Sequence, residues 1–175
     1  MVIWITGLPG AGKTTIATSL FKTIKSFDEQ VVLLDGDMVR EALQNTEYDL
    51  ESRKKLAFSY SRFAKMFSEQ GQITIFATVS MFDDVRQWNQ KNIENYFEIY
   101  IKVFPEVLNR RNQKQLYSEA LKGKIKNLHG FDLDFEEPKN PSLIVDNNGS
   151  LNIKNIVSTI INTINESSLV TRLTK

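Results

Sequence analysis

Lys13 and Thr14 close an eight-residue run, Gly7-Leu8-Pro9-Gly10-Ala11-Gly12-Lys13-Thr14, that fits G-x-x-x-x-G-K-[ST] at every fixed position. The chemistry of such a run is phosphate binding. Glycines let the backbone turn with its N–H groups facing inward, and those donors, with the dipole of a following helix, favour an anion. Lys13 is expected to reach the β- and γ-phosphates of a nucleotide, and the Thr14 hydroxyl to bind Mg²⁺. Leu8, Pro9, Ala11 and Thr15 complete the expected nucleotide-binding set around Gly7, Gly10 and Gly12.

A second group is Asp35-Gly36-Asp37. A kinase with a phosphate loop needs Mg²⁺, a group that takes the acceptor's proton, and cations over the transferred phosphoryl. One of the two carboxylates can hold Mg²⁺ and the other can accept the proton. Asp37 is the first choice as base and Asp35 as metal-side group, with the exchange of roles open. A polar turn capping the next helix is the plainer reading of the same residues. Arg40, one helical turn beyond Asp37, can grip an acceptor phosphate. Arg110, Arg111 and Lys114, followed by Lys122, Lys124 and Lys126, make a basic stretch able to close over phosphates. Arg111 and Lys114 are expected to matter and the later lysines to be solvated. Tyr48, Phe82, Leu128 and Phe131 are candidates for a wall against a base. His129 reads as a loop histidine with no catalytic role.

The elements that must position these groups alternate. Val2 to Thr6 is an apolar run that reads as a buried strand, and Ile16, Ala17, Leu20, Phe21 and Ile24 follow at helical spacing. Val31 to Leu34 reads as the second strand and about 50 to 70 as a long helix stopped by Gly71. Ile73 to Val79 is the third strand, 83 to 95 a polar helix, and Tyr96 to Phe104 the fourth strand, with Pro105 opening a helix. Residues 112 to 130 have little period and read as a mobile lid with some helix. Leu143 to Val145 is the fifth strand; Ile153 to Ile164 stripe a last helix, which frays from about Glu166. Alternation implies a three-layer α/β/α fold around a five-stranded parallel sheet, with right-handed crossovers. Ligands then sit at the carboxyl ends of the strands, which brings the phosphate loop, Asp35-Gly36-Asp37 and Ser80-Met81-Phe82 to one rim.

Composition narrows the classes. A length of 175 residues fits a single domain, 1–175, and 41% hydrophobic residues suffice for a core. A net charge of +1 gives no basic track for nucleic acid or an anionic membrane. No cysteine is present, which excludes disulfides and thiolate chemistry, and a single histidine cannot build a histidine metal site. No apolar run approaches a membrane span, and the chain enters its first strand at once, without room for a signal peptide. A cytoplasmic protein is expected. Its partners are a small-molecule nucleotide acceptor, with a homodimer left open.

The chain resembles the adenylylsulfate (APS) kinases over nearly its whole length. Residues 7 to 15, GLPGAGKTT, resemble their phosphate loop, and LDGDMVR, 34 to 40, resembles LDGDNVR. Ser80-Met81-Phe82 resembles S-P-F/Y, RNQKQLY, 111 to 117, resembles RDxKGLY, and 123 to 138 resembles GEIKxFTGIDxxYExP. The resemblance implies phosphorylation of a nucleotide ribose 3′-hydroxyl, with ATP as donor and Mg²⁺. It implies acceptor binding by Asp37, Arg40, Tyr48, Arg53, Ser80, Phe82, Lys114 and Leu128.

The departures lie in the acceptor half. Where the family carries N-I-R-R on the long helix, ungapped counting back from Gly71 places Leu56-Ala57-Phe58-Ser59. The arginine after S-P-F/Y is Asp83 here, expected to repel an acceptor anion. The two phenylalanines that sandwich adenine correspond to Tyr48 and Leu128. A lost bidentate cation contact to a buried anion costs about 1.5–3 kcal/mol. The donor machinery is thus kept while the acceptor pocket has changed. That favours the family's variant that phosphorylates cytidine diphosphoramidate in capsule modification over a genuine APS kinase. A nucleotide switch is the alternative of another class; the base-reading N-K-x-D of GTP switches does not occur.

Overall fold

An apolar run without alternation is a stable strand only where both sheet faces are covered. In the computed structural model, which describes residues 1–149 and 152–167 and Lys114 by its backbone alone, that run forms β1 (Val2–Thr6), buried throughout. It is followed by α1 (Lys13–Lys25), β2 (Val31–Asp35), α2 (Gly36–Ala42), α3 (Leu50–Glu69), β3 (Ile73–Thr78) and α4 (Asp83–Asn92). Then come β4 (Tyr96–Lys102), α5 (Pro105–Arg111), a 3₁₀ turn (Gln113–Gln115), α6 (Leu116–Leu121), β5 (Leu143–Asp146) and α7 (Ile153–Glu166). The strands pair in parallel in the order β2-β3-β1-β4-β5.

β1 alternates between two cores. Ile3 and Ile5 pack with Ile16, Leu20 and Ile24 of α1 and Ile156 and Ile160 of α7. Val2 and Trp4 pack with Leu56, Tyr60 and Ala64 of α3 and Val85 of α4. Burying one such side chain stabilises by roughly 1.5–3 kcal/mol. With helices on both faces, the phosphate loop leaves the sheet at its central strand, flanked by the ends of β3 and β4.

Several boundaries differ from the sequence reading. β3 stops at Thr78 and β4 at Lys102. Phe104 has left the sheet to cap α5, where its N–H donates to Asn148 Oδ1 at 2.8 Å. The helix expected to reach 95 stops at Asn92, because Ile93 turns extended and buries its side chain in the second core. Residues 112–130 carry some helix, as expected, and more buried side chains than their weak period suggests. Tyr117, Ala120, Leu128 and His129 are all buried there. The fraying expected beyond Glu166 falls on 168–175, outside the described residues.

Candidate active site

The phosphate loop is shaped by close approach. Gly7 has φ +151°, and a Cβ there would stand 2.6 Å from Ile101 O, so only glycine fits. Gly12, at φ +93°, caps α1 without a side-chain hydrogen bond, unlike Asp49 and Asn152, which cap α3 and α7. The first-turn N–H groups of α1 are thus left for an anion rather than for a cap. Lys13 is 8% exposed and its Nζ donates to Leu8 O at 2.9 Å. Burial pushes its ammonium down to about 8, while Asp35 and Asp37 draw it back up.

Three side chains that buttress the loop do so through its carbonyls. Tyr117 Oη donates to Pro9 O at 3.0 Å and Asn147 Nδ2 to Ala11 O at 2.9 Å. Arg111, expected at the nucleotide, donates to Asn147 O at 2.6 Å and to Gly10 O at 3.5 Å. The sequence reading does not single out Asn147 or Tyr117. The available signal for Asn147 is its position just past β5, whose carboxyl end must share the rim with the loop.

At the end of β2, Asp35 serves both of its sequence readings at once. Its Oδ1 accepts from Asp37 N at 2.9 Å, capping α2, and its Oδ2 accepts from Thr14 Oγ1 at 2.7 Å. A hydroxyl and a carboxylate brought together beside the phosphate loop are hard oxygen donors suited to Mg²⁺, which takes few protein ligands beside phosphate and water. Thr14 and Asp35 would hold the ion there. Asp37 stands one residue into α2, exposed, and near enough to Lys13 and Tyr60 to act on the charge of both. Gly36 lets the chain pass Thr78, since a Cβ would lie 3.2 Å from Thr78 Oγ1. Tyr60, which the sequence marks only as part of the apolar face of the long helix, donates its Oη to Gly36 O at 2.8 Å and pins α2 to α3.

On the acceptor side, Arg40, Tyr48 and Arg53 form one unit. The Arg40 guanidinium lies 4.4 Å from the Tyr48 ring centroid and that of Arg53 5.2 Å. Arg40 also donates to Asn45 Oδ1 and Glu47 O, and Arg53 Nε to Tyr48 O at 2.7 Å. Arg40 is therefore held on Tyr48, not extended towards a phosphate as its spacing suggested. Ser80 and Phe82 are buried at the end of the third strand, and Phe82 meets His129 edge-on at 5.5 Å.

Three expectations change here, at Leu128, Asp83 and His129. Leu128 is 4% exposed and packs in the first core, so its side chain fills the interior instead of presenting a wall. Phe131, by contrast, is exposed. Asp83 does not stand as a lone repelling charge: Arg86 and Lys139 both pair with it. Burial raises the Asp83 carboxyl, but those two hydrogen-bonded partners hold it below the usual range. His129 is no solvated loop residue, being 1% exposed. Of the later lysines, Lys122 and Lys124 pair with Glu119 at 3.1 Å each and Lys126 is exposed. The Lys114 side chain lies outside the described residues. Leu56 and Ala57 are core residues, and Phe58 lies against Arg62.

The phosphate loop and Asp35 thus meet at the strand ends, and Arg40, Tyr48 and Arg53 form a separate cationic, aromatic wall. Among the described residues no helix is long and apolar enough to cross a membrane. The family model described as adenylylsulphate kinase matches residues 1–146. The cytidine diphosphoramidate kinase of Campylobacter jejuni subsp. jejuni serotype O:2 is 39% identical over 160 residues, covering 91% of this chain and 94% of that protein. A probable adenylyl-sulfate kinase of Archaeoglobus fulgidus is 44% identical over 146 residues, covering 83% and 94%. The Mycobacterium tuberculosis APS kinase CysC, solved with AMPPNP and APS, superposes with a TM-score of 0.86 over 94% of this chain and 96% of that one, at 24% identity. The chain belongs to the adenylylsulphate kinase family, whose named members are phosphotransferases.

Proposed function

We propose that this enzyme transfers the γ-phosphate of ATP to the ribose 3′-hydroxyl of a nucleotide with a small anionic end group, and that its preferred acceptor is cytidine diphosphoramidate. The observation that carries the choice is the makeup of the acceptor wall. Leu56 is apolar and buried where the resembled family carries asparagine, Phe58 and Ser59 stand where it carries two arginines, and Asp83 replaces a further arginine. With Leu128 turned into the core, Tyr48 is the aromatic face left for the base. A smaller base needs less π-surface to cover it, which favours a pyrimidine over adenine. The likeness to the Campylobacter protein supports the same choice.

In the reaction, the ribose 3′-oxygen attacks the γ-phosphorus and the bond from that phosphorus to the β–γ bridging oxygen breaks, releasing ADP. The hydroxyl proton passes to the Asp37 carboxylate. Lys13 and the first-turn N–H groups of α1 bear the charge on the transferred phosphoryl. Mg²⁺, held through Thr14 and Asp35, supplies further neutralisation of the phosphates when bound. Arg53, beside Tyr48, holds the acceptor's anionic end, and Arg40 braces the Tyr48 ring. The work is placed in the cytoplasm, where ATP is available, and one domain carries all of it.

The alternative is a genuine APS kinase, favoured by the 44% identity to the Archaeoglobus protein. Steady-state kinetics with ATP and each acceptor decide between them. The expected result is a higher kcat/KM for cytidine diphosphoramidate, with phosphate appearing at the 3′ position. A tenfold advantage for APS, about 1.4 kcal/mol in transition-state binding, would overturn the assignment.

A further inference from the structure

The turn that carries His129 is fixed on both sides. Asp132 accepts from Asn127 N at 2.8 Å and Leu128 N at 2.5 Å, and His129 bridges to Leu133. Gly130, at φ +81°, lies against the phosphate loop so closely that a Cβ would meet Leu8 Cδ1 at 3.0 Å. His129 therefore stands between the loop and Phe82, whose ring it meets edge-on. Its Nδ1 is 3.2 Å from Asp134 O. A carbonyl can only accept, so Nδ1 carries the proton and Nε2 is left with a lone pair. No described residue bonds Nε2. Burial first, and then the charges of Arg53 and Lys13, push this imidazole down to about 4, so it is neutral at physiological pH.

A neutral acceptor atom is out of place beside Arg53 and Lys13, whose charges both act on this ring. Lys13 and Arg53 suit an anion; a lone pair does not, unless the ligand brings a donor of its own. We propose that His129 is a specificity-determining residue whose Nε2 accepts an N–H from the amide end of a phosphoramidate acceptor. The inference rests on the reading that the acceptor is a nucleoside diphosphoramidate. A P–NH₂ group donates such a bond. A sulfate or unmodified phosphate end offers only oxygen lone pairs at neutral pH, which face the imidazole lone pair without a proton between them. Sites that hydrogen-bond a substrate N–H discriminate strongly against analogues that lack it, because the protein atom is then left unpaired.

The test compares cytidine diphosphoramidate with cytidine diphosphate, which share the base and differ at the end group. Wild-type enzyme is expected to favour the amidate in kcat/KM by about tenfold. His129→Phe keeps a ring against Phe82 but has no lone pair, and should bring that ratio close to one. His129→Gln, whose Oε1 can accept where Nε2 did, should retain most of it. Melting temperature and the dissociation constant for ATP, measured for each variant, report whether the fold survives. A ratio unchanged in His129→Phe, turnover falling alike with both acceptors, or no wild-type preference for the amidate over the diphosphate would each overturn the proposal. If His129→Phe fails to fold, the Gln variant decides: loss of its ratio overturns the role. Preference over APS is read separately from wild-type enzyme, so the acceptor assignment and the role of His129 can fail independently.

Discussion

Around the phosphate loop nearly every stabilising contact runs to the backbone. Tyr117, Asn147 and Lys13 reach the carbonyls of Pro9, Ala11 and Leu8, and the uncapped first-turn N–H groups of α1 are those that would meet a phosphate. Around the acceptor wall the groups are side chains from separate segments: Arg40 from α2, Tyr48 from a loop and Arg53 from α3. On the proposed function the donor half would hold a triphosphate, a group that is the same in every ATP. Its geometry is set by glycines and helix starts, which admit few substitutes. The acceptor half faces a ligand that varies between relatives, and side chains on separate elements can be exchanged without disturbing the sheet.

The largest effect belongs to the donor half. Lys13→Met should lower kcat by about 10³-fold or more, since it removes a charge aimed at the phosphoryl. The same change should raise the melting temperature of the unliganded protein by a few degrees, because a desolvated ammonium is replaced by an apolar chain of similar length. The sign follows from the shift. The folded value of Lys13 is about 8 against an ordinary 10.5, so between those values the unfolded chain binds more protons and stability climbs with pH. For the same reason the KM for ATP should rise above pH 8 in wild-type enzyme and lose that dependence in Lys13→Arg. A Met variant that turns over normally would remove the basis for the division between the halves.

Asp37→Asn should lower kcat by about 10²–10⁴-fold and leave the ATP dissociation constant within about threefold, because an amide keeps the shape but cannot take a proton. If ATP binding collapses and saturated turnover survives, Asp37 belongs to the metal side and Asp35 becomes the base. A smaller, one-sided effect is expected at the wall. Arg53→Ala should raise the acceptor KM about tenfold with the ATP KM unchanged. Equal rises in both would mean that the two halves are not separable. The smallest effect is dynamic: residues 112–130 should gain hydrogen-exchange protection when nucleotide is added, as Arg111 and Tyr117 tighten on the loop. Unchanged protection would leave the lid as a fixed wall.

The sequence by itself determined the turn of the phosphate loop and the sheet. G-x-x-x-x-G-K-T between an apolar strand and a helical stripe admits few other arrangements, because its glycines occupy backbone conformations and contacts closed to other residues. The five strands appear as apolar runs within one or two residues of their bounds, since burial on both faces demands such runs. What only the tertiary structure decided are the contacts made across the chain. Asn147 meets Ala11 over 136 positions and Tyr117 meets Pro9 over 108, and neither residue belongs to a periodic pattern. Leu128 and His129 sit in a stretch with little period, yet both are buried once Asp132 closes the turn and Gly130 lies on Leu8. Asp83 looks like a bare charge in sequence and is neutralised by Arg86 on its own helix and Lys139 from a distant loop. Strand burial and backbone shape leave local marks in a sequence. The partner of a polar side chain does not, because distance in space is set by how the sheet brings remote segments together.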